Sequence, residues 1–385
     1  MMKKILALTS ISILLLIGGL YASPFYFLLY GAKMMIETGR DTAFIGDHIY
    51  FDNRVVKAAD TATDWPKHLA YNRIPLSPKM QELHQQYGSV AHVVMYKDSI
   101  LHESYYDGYS DQSKSNSFSM SKSFVTSMLG KAIMEGQIES LDQKVSDFLE
   151  GFDQGYAAKL TVGDLASMSS GLEWNEKYDL SLNGMMEAYI SPDLTRVMKK
   201  SIITSPPGEG FRYLSGNTQL LAMVLQEATG KNISDYFSEK FWQPLGATQD
   251  ALWQLDSAAN GMEKAYCCFA TNAKDFARMG KLYKDYGQWE GEQLLDSTFI
   301  AKSTQARFSE SPEYGYGWWM APYKDQQGFA MRGHLGQYVI VFPESDLIIV
   351  RLGHQKGPKK DAFGPQMFHD LIYEGFQMIA HVSQP

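Results

Sequence analysis

Apolar and polar positions change their period several times along the chain. From Ile5 to Ala32 there is no charged residue, a run long enough for one helix to cross about 30 Å of hydrocarbon. Residues 36–76 show no sustained period, with short apolar groups such as Ala43-Phe44-Ile45 and an interruption at Trp65-Pro66, so they read as an arm lying on the main domain. Pro78 opens a helical run to Tyr87 that Gly88 stops. Two β-rich runs, Ala91 to Tyr96 and Ile100 to Tyr106, are joined by Lys97-Asp98-Ser99 as a hairpin turn.

After Ser119 the texture becomes helical. Phe124, Met128, Leu129 and Ile133 share one face, and Gly136 closes that helix. Further helical runs cover Val162 to Met168 and Thr218 to Thr229. Strand texture returns at Tyr338 to Phe342 and Leu347 to Leu352, linked through Pro343-Glu344-Ser345-Asp346, and Gln366 to Ala380 reads as a closing helix. Strands, a helical block and strands again predict a mixed α/β (α+β) fold. One antiparallel sheet is flanked by helices and split in sequence by an all-helical insertion at about 120–270. The expected organisation is an N-terminal segment at 1–35, the arm at 36–76 and one large domain at 77–385.

Lys3 and Lys4 precede the charge-free run and Lys33 comes after it. The run predicts a membrane anchor, with the Lys pair cytoplasmic and the rest exported, which in a bacterium is the periplasmic side of the inner membrane. The alternative is a secretory leader cleaved near Ala22, before Ser23-Pro24. Bulky Leu20 and the continuation through Phe25 to Tyr30 favour the uncleaved anchor.

Composition narrows the function. Lys and Arg total 35 against 43 for Asp and Glu, a net charge of −8, so the basic excess that binds a phosphate backbone is missing and nucleic acid is excluded as a partner. The two cysteines, Cys267 and Cys268, are adjacent, too few and too close for a disulfide framework or a cysteine zinc site, and are expected to lie beside the site or in the core as a small apolar pair. The histidines show no metal-ligand spacing, so no metal is expected.

Ser119-Met120-Ser121-Lys122 is the one S-x-x-K in the chain and lies at the start of a strong helix. Residues three apart share a helix face, which brings the Ser119 hydroxyl within reach of the Lys122 amine. Serine becomes a nucleophile when a base removes its proton, and a lysine desolvated by burial can be that base. Alone, the motif also reads as a serine cap before a helix. Its company changes the reading: Tyr213-Leu214-Ser215 precedes an apolar helix, and His334-Leu335-Gly336 directly precedes the strand from Tyr338.

In this order the three strings resemble the signature of the serine β-lactamase and penicillin-binding protein superfamily. Within it the chain is similar to the class C β-lactamase-like branch and its 6-aminohexanoate-dimer hydrolase group. Supporting phrases are FSMSKSF at 118–124, LASMSSGL at 165–172, FRYLSGNTQLL at 211–221, YGYGWW at 314–319 and GHLG at 333–336. The resemblance implies a β-lactamase/transpeptidase-like fold and a serine hydrolase that needs no metal or organic cofactor. Ser119 would be the acylated nucleophile, Lys122 its base partner and Tyr213 the next member of the proton relay. His334 would stand where β-lactamases have the Lys of K-T-G, Gly336 would let backbone approach the substrate, and the backbone N–H groups of Ser119 and Gln337 would form the oxyanion hole. Tyr178, in the string Glu173 to Tyr178, would reach over a bound amide.

One departure from the pattern matters. Where β-lactamases have Y-x-N this chain has Ser215, so a hydroxyl replaces an amide. The expected substrate is therefore a small amide or ester, with a D-Ala-peptide carboxypeptidase or a non-catalytic envelope sensor on the same fold as the alternatives.

Overall fold

The computed structural model describes residues 2–21, 23, 25–178 and 183–383. It opens with helices α1 (Met2–Tyr21) and α2 (Phe27–Thr38) and the short strand β1 (Asn53–Val56). Helix α3 (Pro78–Gln86) leads to the hairpin β2 (Ser89–Tyr96) and β3 (Ser99–Tyr105), and β4 (Ser115–Asn116) leads to α4 (Ser121–Met134). The helical block holds α5 (Val162–Ala166), α6 (Gly184–Ile190), α7 (Leu194–Met198), α8 (Ser215–Thr229) and α9 (Ile233–Phe237). Then come β5 (Ala251–Gln254), β6 (Phe269–Thr271), α10 (Ala273–Lys284), β7 (Gln288–Trp289), β8 (Glu292–Gln293) and α11 (Ser297–Ser303). The chain closes with β9 (Trp319–Met320), β10 (Phe329–Gly333), β11 (Gln337–Phe342), β12 (Leu347–Gly353) and α12 (Gln366–Val382).

The main sheet is antiparallel, in the order β3-β2-β12-β11-β10-β9, so its N- and C-terminal strands meet where β2 pairs with β12. The hairpin falls where the sequence places it: Lys97 and Asp98 both adopt positive φ, as a tight turn that matches strand twist requires. Strands β11 and β12 read as near-continuous apolar runs because helices cover both faces. Val339, Val341, Ile348 and Val350 join the core with Phe276 and Met279 of α10. Tyr338, Ile340, Leu347 and Ile349 point the other way, to Phe368, Leu371 and Ile372 of α12.

Two expectations change. The insertion is mainly helical, but β5 and β6 combine with β1 and β4 in a second antiparallel sheet, ordered β1-β5-β6-β4. The arm therefore supplies a strand, with Asn53 opposite Gln254 and Val56 opposite Ala251. Short strands of two to four residues carry too little periodicity to be recognised from one sequence.

The second change concerns the N-terminal run, which divides into α1 and α2 instead of forming one helix. Among the described residues no helix is long and apolar enough to cross a membrane. Ala22 and Pro24, at the alternative cleavage site, lie outside the described residues. The second half of the run docks on the domain: Phe27 is buried, and the Tyr26 hydroxyl pairs with that of Ser191 at 2.8 Å.

Candidate active site

Ser119 sits in a single 3-10 turn, Phe118–Met120, between β4 and α4. Phe118 holds φ +45°, a left-handed value that is costly for a bulky residue and persists only where its surroundings enforce it. Here Asn116 accepts the Phe118 N–H through Oδ1 at 2.8 Å, and the Ser117 hydroxyl donates to the Phe118 carbonyl at 3.0 Å. The turn leaves Ser119 partly exposed. No side chain caps α4, so the capping reading of the serine does not hold.

Lys122 is buried. Its Nζ lies 3.0 Å from Ser119 Oγ and 2.7 Å from the Tyr266 carbonyl oxygen, with no carboxylate in direct contact. Burial pulls its amine down to about 8, while the Glu176 carboxylate acts in the opposite direction. Tyr213 completes the cluster. The centroid of its ring is 5.1 Å from the Lys122 Nζ, and its hydroxyl interacts with that of Ser119. Burial raises the phenol above its ordinary value, so it is neutral at pH 7 and can pass a proton only by taking one as it gives another. Trp319 tilts against the Tyr213 ring at 5.0 Å, and the Arg332 guanidinium lies 4.3 Å over Trp319.

His334 and Gly336 lie in the turn directly before β11, and His334 lines the same cavity as Ser119. Burial, helped by nearby Lys356, holds the His334 imidazole down at about 4, so it is neutral at pH 7. Its ring stacks on Tyr178 at 5.3 Å and meets Phe118 edge-on at 5.5 Å. Gly336 has φ +87°, and a Cβ there would fall 2.5 Å from Arg351 Nη1. What the glycine admits on this side is thus a guanidinium of the protein itself. Arg351 is fully buried and donates to the carbonyls of Leu335, Gly336 and Tyr87 and to Ser89 Oγ at 2.8–3.1 Å. The Gln337 side chain is a brace as well, bonded to the His334 carbonyl and to both backbone groups of Gly353.

Ser215 and Tyr178 converge on a residue that the sequence reading missed. Glu176 Oε1 accepts from the hydroxyls of Ser215 and Tyr178, both at 2.6 Å, and Oε2 accepts the Ser215 N–H at 2.7 Å. The carboxylate ties the aromatic loop to the start of α8. Its one sequence signal was its place two residues before Tyr178. Arg351 had a clearer signal, as the lone charge in the apolar run LIIVRLG.

Cys267 and Cys268 differ from expectation in one respect: they are bonded to each other. They lie beside the site as expected, with Cys267 on the wall of its cavity, directly after the Tyr266 carbonyl that holds Lys122. A framework needs distant pairs, so cysteine counting gave no sign of a bond between neighbours.

A partly exposed serine, a desolvated lysine at hydrogen-bond distance, a neutral tyrosine and an H-x-G turn before a strand define the class: a β-lactamase-fold serine hydrolase. The chain belongs to the beta-lactamase family, whose sequence model matches residues 74–373. A 6-aminohexanoate-dimer hydrolase of Paenarthrobacter ureafaciens is 24% identical over 307 residues, covering 73% of this chain and 76% of that one. A structure from Bacillus anthracis, assigned as a 6-aminohexanoate-dimer hydrolase, shares the fold with a TM-score of 0.74 at 20% identity, over 94% of this chain and 95% of that one. The D-amino acid amidase of Ochrobactrum anthropi SV3 also shares it, with a TM-score of 0.60 at 16% identity over 79% and 97% of the two chains.

Proposed function

We propose that the enzyme cleaves a small amide or ester through an acyl-enzyme on Ser119. The observation that carries this is the 3.0 Å contact between Ser119 Oγ and a lysine amine held near 8. In the first step Oγ bonds to the substrate carbonyl carbon as its proton passes to unprotonated Lys122. The carbonyl π electrons move to the oxygen, where the Ser119 and Gln337 N–H groups would receive the charge. Collapse expels the amine or alcohol, which takes a proton from Lys122 through the Tyr213 hydroxyl. Water then attacks the acyl carbon, with the same pair accepting its proton and returning one to Ser119 Oγ. His334 and Tyr178 flank the scissile group as contacts, and Ser215 acts through Glu176.

Small amides and esters rank above β-lactams in this reading. His334, neutral at pH 7, offers no cation to a β-lactam carboxylate, and a charged hydrogen bond of that kind contributes about 1.5–3 kcal/mol. The 6-aminohexanoate-dimer hydrolase and the D-amino acid amidase are enzymes that act on amides. To test the preference, kcat/KM of the full chain is compared for p-nitrophenyl butyrate, the 6-aminohexanoate dimer and nitrocefin. The expected order puts nitrocefin last, and nitrocefin exceeding both others overturns it.

We further propose that the domain lies outside the cytoplasm, with the Lys-led apolar run at the membrane. The Lys-led apolar run supports this, as do Leu14, Leu15, Ile17 and Tyr21, which stand exposed on α1. Alkaline extraction of membranes with protease treatment of intact cells tests it. Recovery wholly in the cytosolic fraction is the contrary result.

A further inference from the structure

The end of the charge-free run and the rest of α2 form a wall of the active-site cavity. A cavity of about 460 Å³ extends from Ser119 and His334 to α2, a size ordinary for a small-molecule site. Away from the nucleophile its walls are Leu28, Met34 and Met35 of α2 facing Met185, Met186 and Ile190 of α6. The two helices meet closely, since a Cβ on Gly31 would lie 2.8 Å from Ile190 Cδ1.

Charge is confined to particular places. Arg40, Asp41 and Lys177 also border the space. Asp47 reaches it too, but its carboxylate is taken by the Asn116 and Gln254 amides and the Tyr189 hydroxyl. No free buried charge among the described residues therefore waits at the α2 end for an ionic substrate group. What remains there is flexible and apolar, and methionines adapt to chains of different length.

Resting on the serine-hydrolase reading, we infer that the substrate carries an aliphatic chain that lies between α2 and α6 while its carbonyl meets Ser119. The helix that comes after the exposed apolar surface of α1 is then part of the substrate site. The shared chemistry is the chain, on either the acyl or the leaving-group side of the bond, and the test separates the two.

The full chain is assayed on p-nitrophenyl acetate, butyrate, hexanoate and octanoate, which vary the acyl side, and on ethyl to octyl acetates, which vary the leaving group. Burial of each methylene predicts about a fourfold gain in kcat/KM, so about 250-fold over four methylenes, from butyrate to octanoate or from butyl to octyl acetate, in at least one series. Met34→Asp and Met186→Asp, on separate helices, should each cut the long-to-short ratio at least tenfold, with active sites counted by phosphonate labelling. A flat or falling dependence in both series overturns the inference, as does a gain that both variants retain. Wild-type enzyme alone decides the first point if a variant misfolds. Failure of the serine-hydrolase reading looks different: no ester of any length is cleaved and Ser119 takes up no phosphonate, which removes both proposals together.

Discussion

Lys122 reaches Ser119 across one helical turn, and in the proposed mechanism it acts as a base because burial lowers its amine to about 8. Only the unprotonated amine can accept the serine proton. Since its pKa is about 8, kcat/KM should rise with pH and level off above 8, falling about tenfold per unit below it. A profile flat from pH 5 to 9 contradicts the role. If Lys122 and Tyr213 handle the same proton, as proposed, their losses should not multiply: Lys122→Ala with Tyr213→Phe should cost little more than the worse single variant. Independent, multiplying losses in kcat/KM rule out a shared relay. At this scale Ser119, Lys122 and Tyr213 were legible because S-x-x-K is a local pattern and the Tyr string precedes a recognisable helix. Glu176 and the Tyr266 carbonyl were not, because their contacts join segments far apart in the chain and a backbone oxygen carries no residue signature.

The turn before β11 depends on a residue of the next strand. Arg351 holds the carbonyls of Leu335 and Gly336 from behind and, among the described residues, has no carboxylate partner, so its donors go to backbone oxygens and the Ser89 hydroxyl. Arg351→Met should leave those oxygens unpaired and destabilise the fold by about 3 kcal/mol, read as a lower urea midpoint, with kcat falling in the folded fraction. An unchanged midpoint contradicts the brace. Gly336→Ala should also lower kcat, since its Cβ would meet the guanidinium while φ stays positive. Long elements were legible in the sequence: the β2-β3 hairpin, α4, β11, β12 and α12 all fall within a few residues of their apolar runs. The second sheet was not, since β4 and β6 span only two and three residues and are defined by their partners.

Across the whole molecule, the arm and α2 pack on the domain although the family match begins at residue 74. Val56 and Ile45 are buried, and Arg54 pairs with Glu263 at 2.5 Å. A fragment beginning at residue 74 should lose the burial of both apolar side chains, about 1.5–3 kcal/mol each, and expose the edge of β5. A lower thermal midpoint and concentration-dependent aggregation are expected, whereas equal stability would make the arm dispensable. The sequence could not reveal this, because an arm without a period gives no sign of the strand it completes. The proposed mechanism turns on one reacting atom, Ser119 Oγ, and peptide mass mapping of the full chain after treatment with a serine-reactive phosphonate addresses it directly. The expected result is a single adduct, on Ser119, absent in Ser119→Ala. An adduct on another residue, or labelling unchanged in that variant, contradicts it.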